Sequence, residues 1–248
     1  MISYVHHAMG TAFSFSITDD KAAKSKVDKA LSMACSEIDS QDNRFSPWKK
    51  ESELSLYNRG EVKNPSKLFV EVMEECERAK AITAGYFDPW ALGEKFDPTG
   101  LVKGWAAQRA LSILLEAGIE GGVVNAGGDI CVVPGRSYLI GVQDPFNSGE
   151  ILGAIEVTDA VATSGSYERG DHIVNVKGDA ITTVAATVKG KDLTLLDALA
   201  TALIAGGHEV LTLISKMEDV AAMMVKIDGS MLATSNFSFS KGESTPSE

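Results

Sequence analysis

The sequence has few cysteines, and they do not form the pattern of a disulfide framework or a zinc site. Cys35, Cys76 and Cys131 are odd in number, far apart and without any C-x-x-C pair. Isolated cysteines of this kind are usually small buried hydrophobic residues in a reducing compartment. The sequence therefore predicts a fold stabilised by a hydrophobic core and not by cross-links or structural zinc.

Positive charge is also scarce. The 248 residues include 23 Lys and Arg against 34 Asp and Glu, which gives a formal net charge of −11. A surface that follows nucleic-acid phosphates or anionic lipids normally carries an excess of Lys and Arg. We therefore expect no nucleic-acid partner. The hydrophobic content of 44% and charged content of 23% are typical of globular proteins and exclude disordered, collagen-like and coiled-coil chains.

Long apolar runs are missing as well. No window approaches the roughly 18 uninterrupted apolar residues of a membrane-spanning helix. The N-terminal stretch MISYVHHAMGTAFSFSI lacks a basic region followed by a continuous apolar segment, which a secretory signal would require. The sequence thus predicts a protein without membrane insertion, located in the cytoplasm.

The pattern of apolar residues predicts interspersed strands and helices. Apolar and polar residues alternate over 1–18, as in a half-buried strand, and Asp19 and Asp20 offer a cap for a helix of about 20 residues. Residues 43–64 are loop-like, a helix follows Pro65, and residues between Gly85 and Gly104 are irregular. The remaining predictions are helices at 104–117, 193–206 and 208–217, strands at 122–125, 130–133, 138–143, 150–157, 172–176 and 183–188, and a hairpin of 220–227 with 230–235.

This order has no regular βαβ rhythm. It favours an α+β sandwich of mixed or antiparallel sheet with helices over a doubly wound parallel sheet. We expect one domain over residues 1–240 and a flexible tail over 241–248, where Ser and Glu replace the apolar pattern.

One carboxylate lies inside an apolar helix. In LTLLDALATALIAGG, Asp197 must be exposed, protonated, hydrogen-bonded or bound to a cation, because a buried unpaired carboxylate is costly. Thr201 lies one turn later on the same helical face. Two hard oxygen ligands at this spacing suit Mg2+, which completes its coordination with waters and substrate phosphate. An exposed aspartate, or a local hydrogen bond between Asp197 and Thr201, explains the pattern equally simply.

A second candidate cluster is FDPTGLVKGWA. Here Asp97, Thr99, Gly100 and Lys103 crowd the start of the helix at 104–117. A helix N-terminus favours an anionic group, and Lys103 has the reach to bind a phosphate. The simpler alternative is a capped turn with a solvated lysine in the first turn of the helix.

Two further segments combine glycines or polar groups. VNAGGDI, residues 124–130, has a Gly-Gly break that either allows a ligand close to the backbone or forms a turn between strands. ATSGSYERGDHI, residues 162–173, concentrates hydrogen-bonding groups around His172, whose imidazole suits proton transfer. An ordinary surface turn with salt bridges is the alternative.

Taken together, these segments resemble the ApbE family, the FAD:protein FMN transferases, and especially its shorter members without a lipoprotein signal. The motifs, in the family's order, are Met9-Gly10-Thr11, 45–58, 85–90, 96–106, 124–130, 162–173 and 195–207. The resemblance implies a T-fold-like α+β domain in which FAD lies in a cleft and Mg2+ bridges its diphosphate. It further implies transfer of FMN to a threonine of an acceptor flavoprotein with release of AMP. FAD hydrolysis to FMN and AMP, or FAD binding without turnover, is the alternative.

The same resemblance assigns site residues. It implies a metal held by the side chains of Asp197 and Thr201, with Ala200 close by and the Gly100 carbonyl as a further oxygen. It implies that His172 accepts the proton of the acceptor hydroxyl. The positions that match the flavin or adenine pocket are Met9, Trp48, Tyr86, Phe87, Asp88, Asp97 and Lys103.

One loop departs from the family's pattern. Where the family reads H-I-I-D-P-x-T-G, this chain continues after His172 with Ile173-Val174-Asn175-Val176-Lys177-Gly178, without the Asp, Pro and Thr. Asn175 retains hydrogen-bonding capacity but carries no charge. We expect FAD binding to survive this change with an altered rate or acceptor choice.

Overall fold

The computed structural model describes residues 1–165 and 180–240, which form ten strands and five helices. The strands are β1 Ile2–Ala8, β2 Thr11–Ile17, β3 Gly122–Ala126, β4 Asp129–Val132, β5 Tyr138–Gln143, β6 Ile151–Val157, β7 Ala160–Gly165, β8 Thr183–Gly190, β9 Ala221–Lys226 and β10 Met231–Ala233. The helices are α1 Lys24–Phe45, α2 Glu53–Asn58, α3 Lys67–Ile82, α4 Val102–Glu116 and α5 Leu193–Ile214.

Eight strands form one sheet in the order β1-β2-β3-β4-β7-β8-β9-β10, and β5 pairs with β6 in a separate two-stranded sheet. All the pairs are antiparallel. The α+β class is confirmed. The division into a domain of residues 1–240 and a flexible tail stays a prediction, and residues 241–248 lie outside the described ranges.

The large sheet is buried on both faces at its centre. Alternate residues of β4 contribute to two separate hydrophobic clusters, with Cys131 in the larger one beside the helices and Ile130 and Val132 in the one beside β5 and β6. Because side chains alternate along a strand, Asp129 lies on the same face as Cys131, toward the helices. This places an acidic residue at the interface between the sheet and the helical layer.

The prediction of buried, isolated cysteines is confirmed. Cys35, Cys76 and Cys131 are all buried with free thiols. Burial raises the pKa of the thiols of Cys76 and Cys131 far above the ordinary value, so both remain neutral at physiological pH. Neutral thiols of this kind contribute packing and not nucleophilic chemistry.

Three of the predicted elements are wrong in detail. The alternating stretch 1–18 is a hairpin and not one strand, because Met9 and Gly10 turn the chain with φ values of 53° and 72°. The loop-like segment 43–64 contains α2, whose N-terminus is capped by Ser52 through a bond from the Ser55 amide. The candidate segment 162–173, for which a surface turn was the alternative, begins as part of β7, which pairs with β8. The strand predicted at 172–176 lies outside the described residues.

The last two predicted helices form one helical element with a break. Gly207 interrupts α5 with a φ of 49° and a ψ of −124°, which lie outside the helical region. The predicted hairpin of the C-terminal part is confirmed by the pairing of β9 with β10, with Gly229 at a φ of 81° in the turn.

α5 is also the one described helix that is long and apolar enough to cross a membrane. Its 22 residues include an apolar window with a mean hydropathy of 1.3, and 61% of that window is buried inside the fold. Core packing therefore accounts for the apolar character of α5. The expected cytoplasmic location and the expected lack of membrane and nucleic-acid partners stay predictions.

The predicted cap of α1 is wrong. The N-cap residue is Ala23, which makes no side-chain bond. Asp19 instead accepts hydrogen bonds from the amides of Glu120 at 2.9 Å, Lys21 at 3.0 Å and Ala22 at 3.1 Å. It therefore links the end of β2 to the segment that precedes β3.

These bonds predict a pH-dependent contribution of Asp19 to stability. The Glu120 amide, followed by those of Lys21 and Ala22, lowers the pKa of the Asp19 carboxyl below its ordinary value. A lowered pKa in the folded state gives a contribution that is complete above the pKa of the unfolded chain and is lost as the pH falls through the folded pKa. We expect Asp19→Ala to lower the melting temperature at pH 7 and to have less effect near pH 3.

Thermal unfolding followed by circular dichroism at the two pH values measures this difference. Asp20→Ala is the matched control, because Asp20 is the adjacent aspartate and is exposed. Equal melting temperatures for the two variants at pH 7 would contradict the assigned role of Asp19.

Candidate active site at the crossing of α4 and α5

The Asp197 carboxylate is buried where α5 crosses α4. Asp197 is 1% exposed, and its Oδ2 accepts a hydrogen bond from the Gly104 amide at 3.0 Å. Thr201, one turn along α5, donates to the Gly100 carbonyl at 3.3 Å. The alternatives of an exposed aspartate and of a local Asp–Thr bond are therefore wrong. The side chains of Asp197 and Thr201 therefore both point to the start of α4.

Two glycines allow this close approach. A Cβ atom on Gly104 would lie 2.5 Å from the Leu193 carbonyl oxygen and 2.9 Å from the Asp197 Cβ, which is closer than real Cβ contacts permit. A Cβ atom on Gly100 would lie 2.9 Å from the Thr201 hydroxyl oxygen. Gly100 lies just before α4 and Gly104 in its first turn, and both pack against residues of α5. This packing brings backbone oxygen and amide groups to the side chains of Asp197 and Thr201.

Lys103 joins the same site from the first turn of α4. Its ammonium group donates a hydrogen bond to Asp129 and lies 3.5 Å from the Asp197 Oδ1. The Lys103 side chain is 13% exposed and that of Asp129 is fully buried. The alternative of a solvated lysine is therefore wrong. The site combines one ammonium group with two buried carboxylates.

Asp129 was missed in the sequence. It follows the Gly-Gly break and begins a strand in which all four residues are buried. A single carboxylate in an apolar segment is the pattern that singled out Asp197, and it applies equally to Asp129. The local pattern does not identify the partner of Asp129, because Lys103 is 26 residues away along the chain.

The Gly-Gly break is a turn between strands that also lies beside the N-terminal hairpin. Gly127 and Gly128 have φ values of 63° and 99°, and the Asn125 side chain accepts a bond from the Gly128 amide at 2.8 Å. A Cβ atom on Gly127 would lie 2.3 Å from the Thr11 hydroxyl oxygen. The turn after Met9 and the turn before Asp129 are therefore neighbours. Met9 is partly buried and packs against the main core.

The aromatic pair Tyr86 and Phe87 is packed against the crossing. Phe87 is 3% exposed, and its ring lies 3.3 Å from where a Gly100 Cβ atom would be. Tyr86 is 5% exposed and donates its hydroxyl hydrogen to the Glu209 carboxylate. Its ring packs on Gly206, where a Cβ atom would approach to 2.4 Å. Glu209 was missed in the sequence, although it closely follows the Gly206-Gly207 break.

The irregular segment before α4 is held by polar side chains. Asp97 accepts a bond from the Thr99 amide at 3.0 Å, so it caps the turn as the simpler alternative states. Asp88 accepts from the Trp90 amide at 2.9 Å and forms an ion pair with Lys80 at 2.9 Å. Both carboxylates therefore shape the backbone of this segment.

α2, which the sequence did not reveal, helps to position the same segment. Its last residue, Asn58, donates to the Phe96 carbonyl at 2.9 Å and accepts from the Phe96 amide at 2.8 Å. The Phe96 ring is 1% exposed and stands 5.6 Å from the Phe69 ring, centroid to centroid. The two hydrogen bonds of the Asn58 side chain and the buried Phe96 ring thus fix the chain just before Asp97.

The other predicted site residues have different surroundings. Ala200 is fully buried between Asp197 and Thr201 in α5. Trp48 is 81% exposed, so the structure leaves its ring available to solvent and outside the packed crossing. His172 lies outside the described residues. The roles of all these residues stay predictions.

The donor chemistry at the crossing fits a hard cation. Within residues 1–165 and 180–240, no group of three His, Cys, Asp or Glu residues is suited to hold a metal ion. The crossing instead offers one carboxylate, one hydroxyl and one carbonyl oxygen, from Asp197, Thr201 and Gly100. Mg2+ accepts a small number of protein oxygens of these kinds when waters and substrate phosphates complete its shell.

Comparison with known proteins identifies the family. The model of the ApbE family matches residues 9–92 and 91–224. The chain belongs to the ApbE family. A curated relative from Rhodobacter capsulatus, named FAD:protein FMN transferase, is 32% identical over 160 residues, which are 56% of this chain. The match spans only 30% of the length of that relative.

Solved ApbE structures share the fold. An ApbE protein from Thermotoga maritima superposes with a TM-score of 0.81 at 21% identity, covering 94% of this chain and 97% of that chain. Flavin transferase ApbE from Vibrio cholerae gives a TM-score of 0.76 at 20% identity, with the same shares covered. These similarities establish the ApbE fold for nearly the whole chain.

Proposed function

We propose that this ApbE chain is a Mg2+-dependent FAD:protein FMN transferase that attaches FMN to a threonine of an acceptor flavoprotein and releases AMP. Family membership and the name of the Rhodobacter relative support a flavin transferase. The observation that carries the proposal is that two polar side chains of α5 contact the start of α4. Thr201 donates to the Gly100 carbonyl, and the Asp197 carboxylate lies 3.5 Å from the Lys103 ammonium group. A diphosphate substrate is stabilised by cations, and oxygens of these kinds are suited to hold one.

In this proposal Asp197, Thr201 and the Gly100 carbonyl hold the metal, with Ala200 between the two side-chain ligands. When bound there, Mg2+ would supply positive charge to neutralise the charge that develops on a diphosphate. The burial of Asp197 strengthens its attraction for a cation, because water screens the charge less there. A local cation is needed in particular because the chain carries a net charge of −11 while FAD is itself an anion.

The remaining residues bind and orient FAD. Lys103 contributes a positive charge next to the metal ligands, and the start of α4 adds backbone amides that favour phosphate oxygens. The exposed ring of Trp48 offers a planar face to the flavin or adenine. Tyr86 and Phe87 are packed in the core, so they support the wall of the pocket more than they cover a ring. Met9 belongs to the turn next to Gly127.

The transfer itself exchanges one phosphorus–oxygen bond for another. The threonine hydroxyl oxygen forms a bond to the phosphorus of the FMN half, and the bond from that phosphorus to the bridging oxygen breaks. AMP leaves with the bridging oxygen and its electron pair. The hydroxyl proton passes to His172, because an imidazole with an ordinary pKa of about 6.5 accepts a proton at neutral pH.

The test is an incubation of the full chain with FAD, Mg2+ and candidate acceptor flavoproteins. We expect an acceptor that carries FMN on a threonine, seen by fluorescence in a denaturing gel and by peptide mass spectrometry, together with an equal amount of AMP. The matched control is the same incubation with Mg2+ chelated, in which we expect no product. Release of free FMN and AMP with every acceptor would favour the FAD pyrophosphatase, and intact FAD throughout would favour a binding protein.

His172→Ala separates binding from proton transfer. If His172 accepts the hydroxyl proton, the variant should slow FMN transfer by roughly a hundredfold or more, while FAD affinity changes little. Transfer is measured at saturating FAD, and affinity by quenching of flavin fluorescence. Equal losses in affinity and in rate would make His172 a binding residue.

A further inference from the structure

Lys103 is held between two buried carboxylates that come from different elements. Asp129, at the start of β4, accepts its hydrogen bond, whereas the Asp197 Oδ1 on α5 lies 3.5 Å away. The second distance is within ion-pair range but at the outer limit of a hydrogen bond. The ammonium group is therefore anchored on Asp129 and only adjacent to Asp197.

This arrangement matters for a cation at Asp197. An ammonium group 3.5 Å from the Asp197 Oδ1 repels a divalent cation that binds the same carboxylate. At the low effective dielectric of a site with little water, such a repulsion changes affinity by at least about tenfold. A shorter contact between Lys103 and Asp197 would also occupy the carboxylate oxygen with an ion pair. The position of the ammonium group therefore determines how well Asp197 binds a cation.

We propose that Asp129 is a positioning residue that holds the Lys103 ammonium group away from Asp197 and so leaves that carboxylate to a divalent cation. The metal part rests on the function proposed above, which needs a cation at Asp197. Lys103 then has two opposed effects. It weakens cation binding in the absence of substrate, and it supplies a positive charge for the diphosphate when FAD is bound.

A purely structural role for Asp129 predicts different results. In that case Asp129 only satisfies a buried lysine, and its loss changes stability without changing the affinity for a cation. A simple effect of net charge also differs, since it predicts that removing Asp129 and Lys103 together cancels. The two explanations are separated by a double-mutant cycle.

The experiment measures Mn2+ and Mg2+ affinity by calorimetry on the full chain without FAD. We expect K103M to bind the cation about tenfold more tightly and D129N about tenfold more weakly, because the ammonium group is lost in one and moves to Asp197 in the other. The D129N/K103M variant should bind severalfold more tightly than the wild type, although its net charge is the same. K191M is the matched control, because Lys191 forms an exposed ion pair with Asp219, and it should change nothing.

The D129N/K103M variant keeps the test decisive if a single variant does not fold, since it buries neither charge of the pair. Circular dichroism melting reports folding for each variant. Affinity of D129N/K103M equal to or weaker than that of the wild type overturns the inference. A D129N effect that is as large in the K103M background as in the wild type overturns it as well.

FMN transfer measured on the same samples distinguishes the two proposals. We expect K103M to combine tighter cation binding with a lower transfer rate at saturating Mg2+. If the variants show the predicted differences in cation affinity but the wild type transfers no FMN to any acceptor, the result contradicts the proposed function and supports the positioning role of Asp129. A wild type that binds no cation in the absence of FAD overturns the positioning role of Asp129. It contradicts the proposed function as well only if no Mg2+-dependent FMN transfer is seen.

Discussion

Asp197→Asn is expected to reduce FMN transfer at least about a hundredfold without unfolding the chain. The amide has the size of the carboxylate, and its oxygen still accepts the bond from the Gly104 amide, which stands at 3.0 Å in the native protein. What is lost is the negative charge that we propose binds a cation at the crossing of α4 and α5. Transfer rates over a range of Mg2+ concentrations measure the effect, and part of the loss should be recovered at high Mg2+.

Asp192→Asn is the matched control for this substitution. Asp192 precedes the same helix, caps it through a bond from the Leu195 amide at 3.3 Å, and lies at the protein surface. Asparagine is an equally good cap. We expect its transfer rate and Mg2+ dependence to equal those of the wild type. An unchanged rate in the Asp197 variant would remove the metal assignment.

Gly104→Ala is expected to lower the free energy of unfolding by about 1–3 kcal/mol. Replacing glycine by alanine inside a helix usually raises stability instead. The added methyl group would lie 2.5 Å from the Leu193 carbonyl oxygen, which belongs to the backbone and has little freedom to move. α4 and α5 must therefore separate at their crossing. Because Asp197 lies at this contact, transfer activity should fall as well.

Urea denaturation of Gly104→Ala and of Gly141→Ala measures the difference. Gly141 is exposed, and a methyl group there would meet only the Ile151 side chain, at 3.2 Å. The control removes the same backbone freedom without a backbone clash, so its stability should stay close to that of the wild type. A Gly104 variant as stable as this control would show that the two helices do not need the close approach.

Short-range patterns predicted two breaks in the fold at positions where glycine decides the conformation. The break in α5 at Gly207 and the turn at Gly229 were found because glycine accepts backbone angles that other residues avoid. α2 was missed because six residues are too few to show a helical period. The turn in the N-terminal hairpin was missed because Met9, a residue that rarely adopts a positive φ, occupies its first position.

The sequence by itself determined that a carboxylate and a hydroxyl share one face of an apolar helix, and that a lysine lies at the start of another helix. These are consequences of helical period and residue type, which act over a few residues. Only the tertiary structure decided that Lys103 meets Asp129 and Asp197, and that Thr201 meets the Gly100 carbonyl. Such partners are separated by 26 to 101 residues, and no local pattern specifies which buried polar groups satisfy one another. The packing of α4 against α5 and the sheet makes that choice, since each buried charge must find a partner once water is excluded.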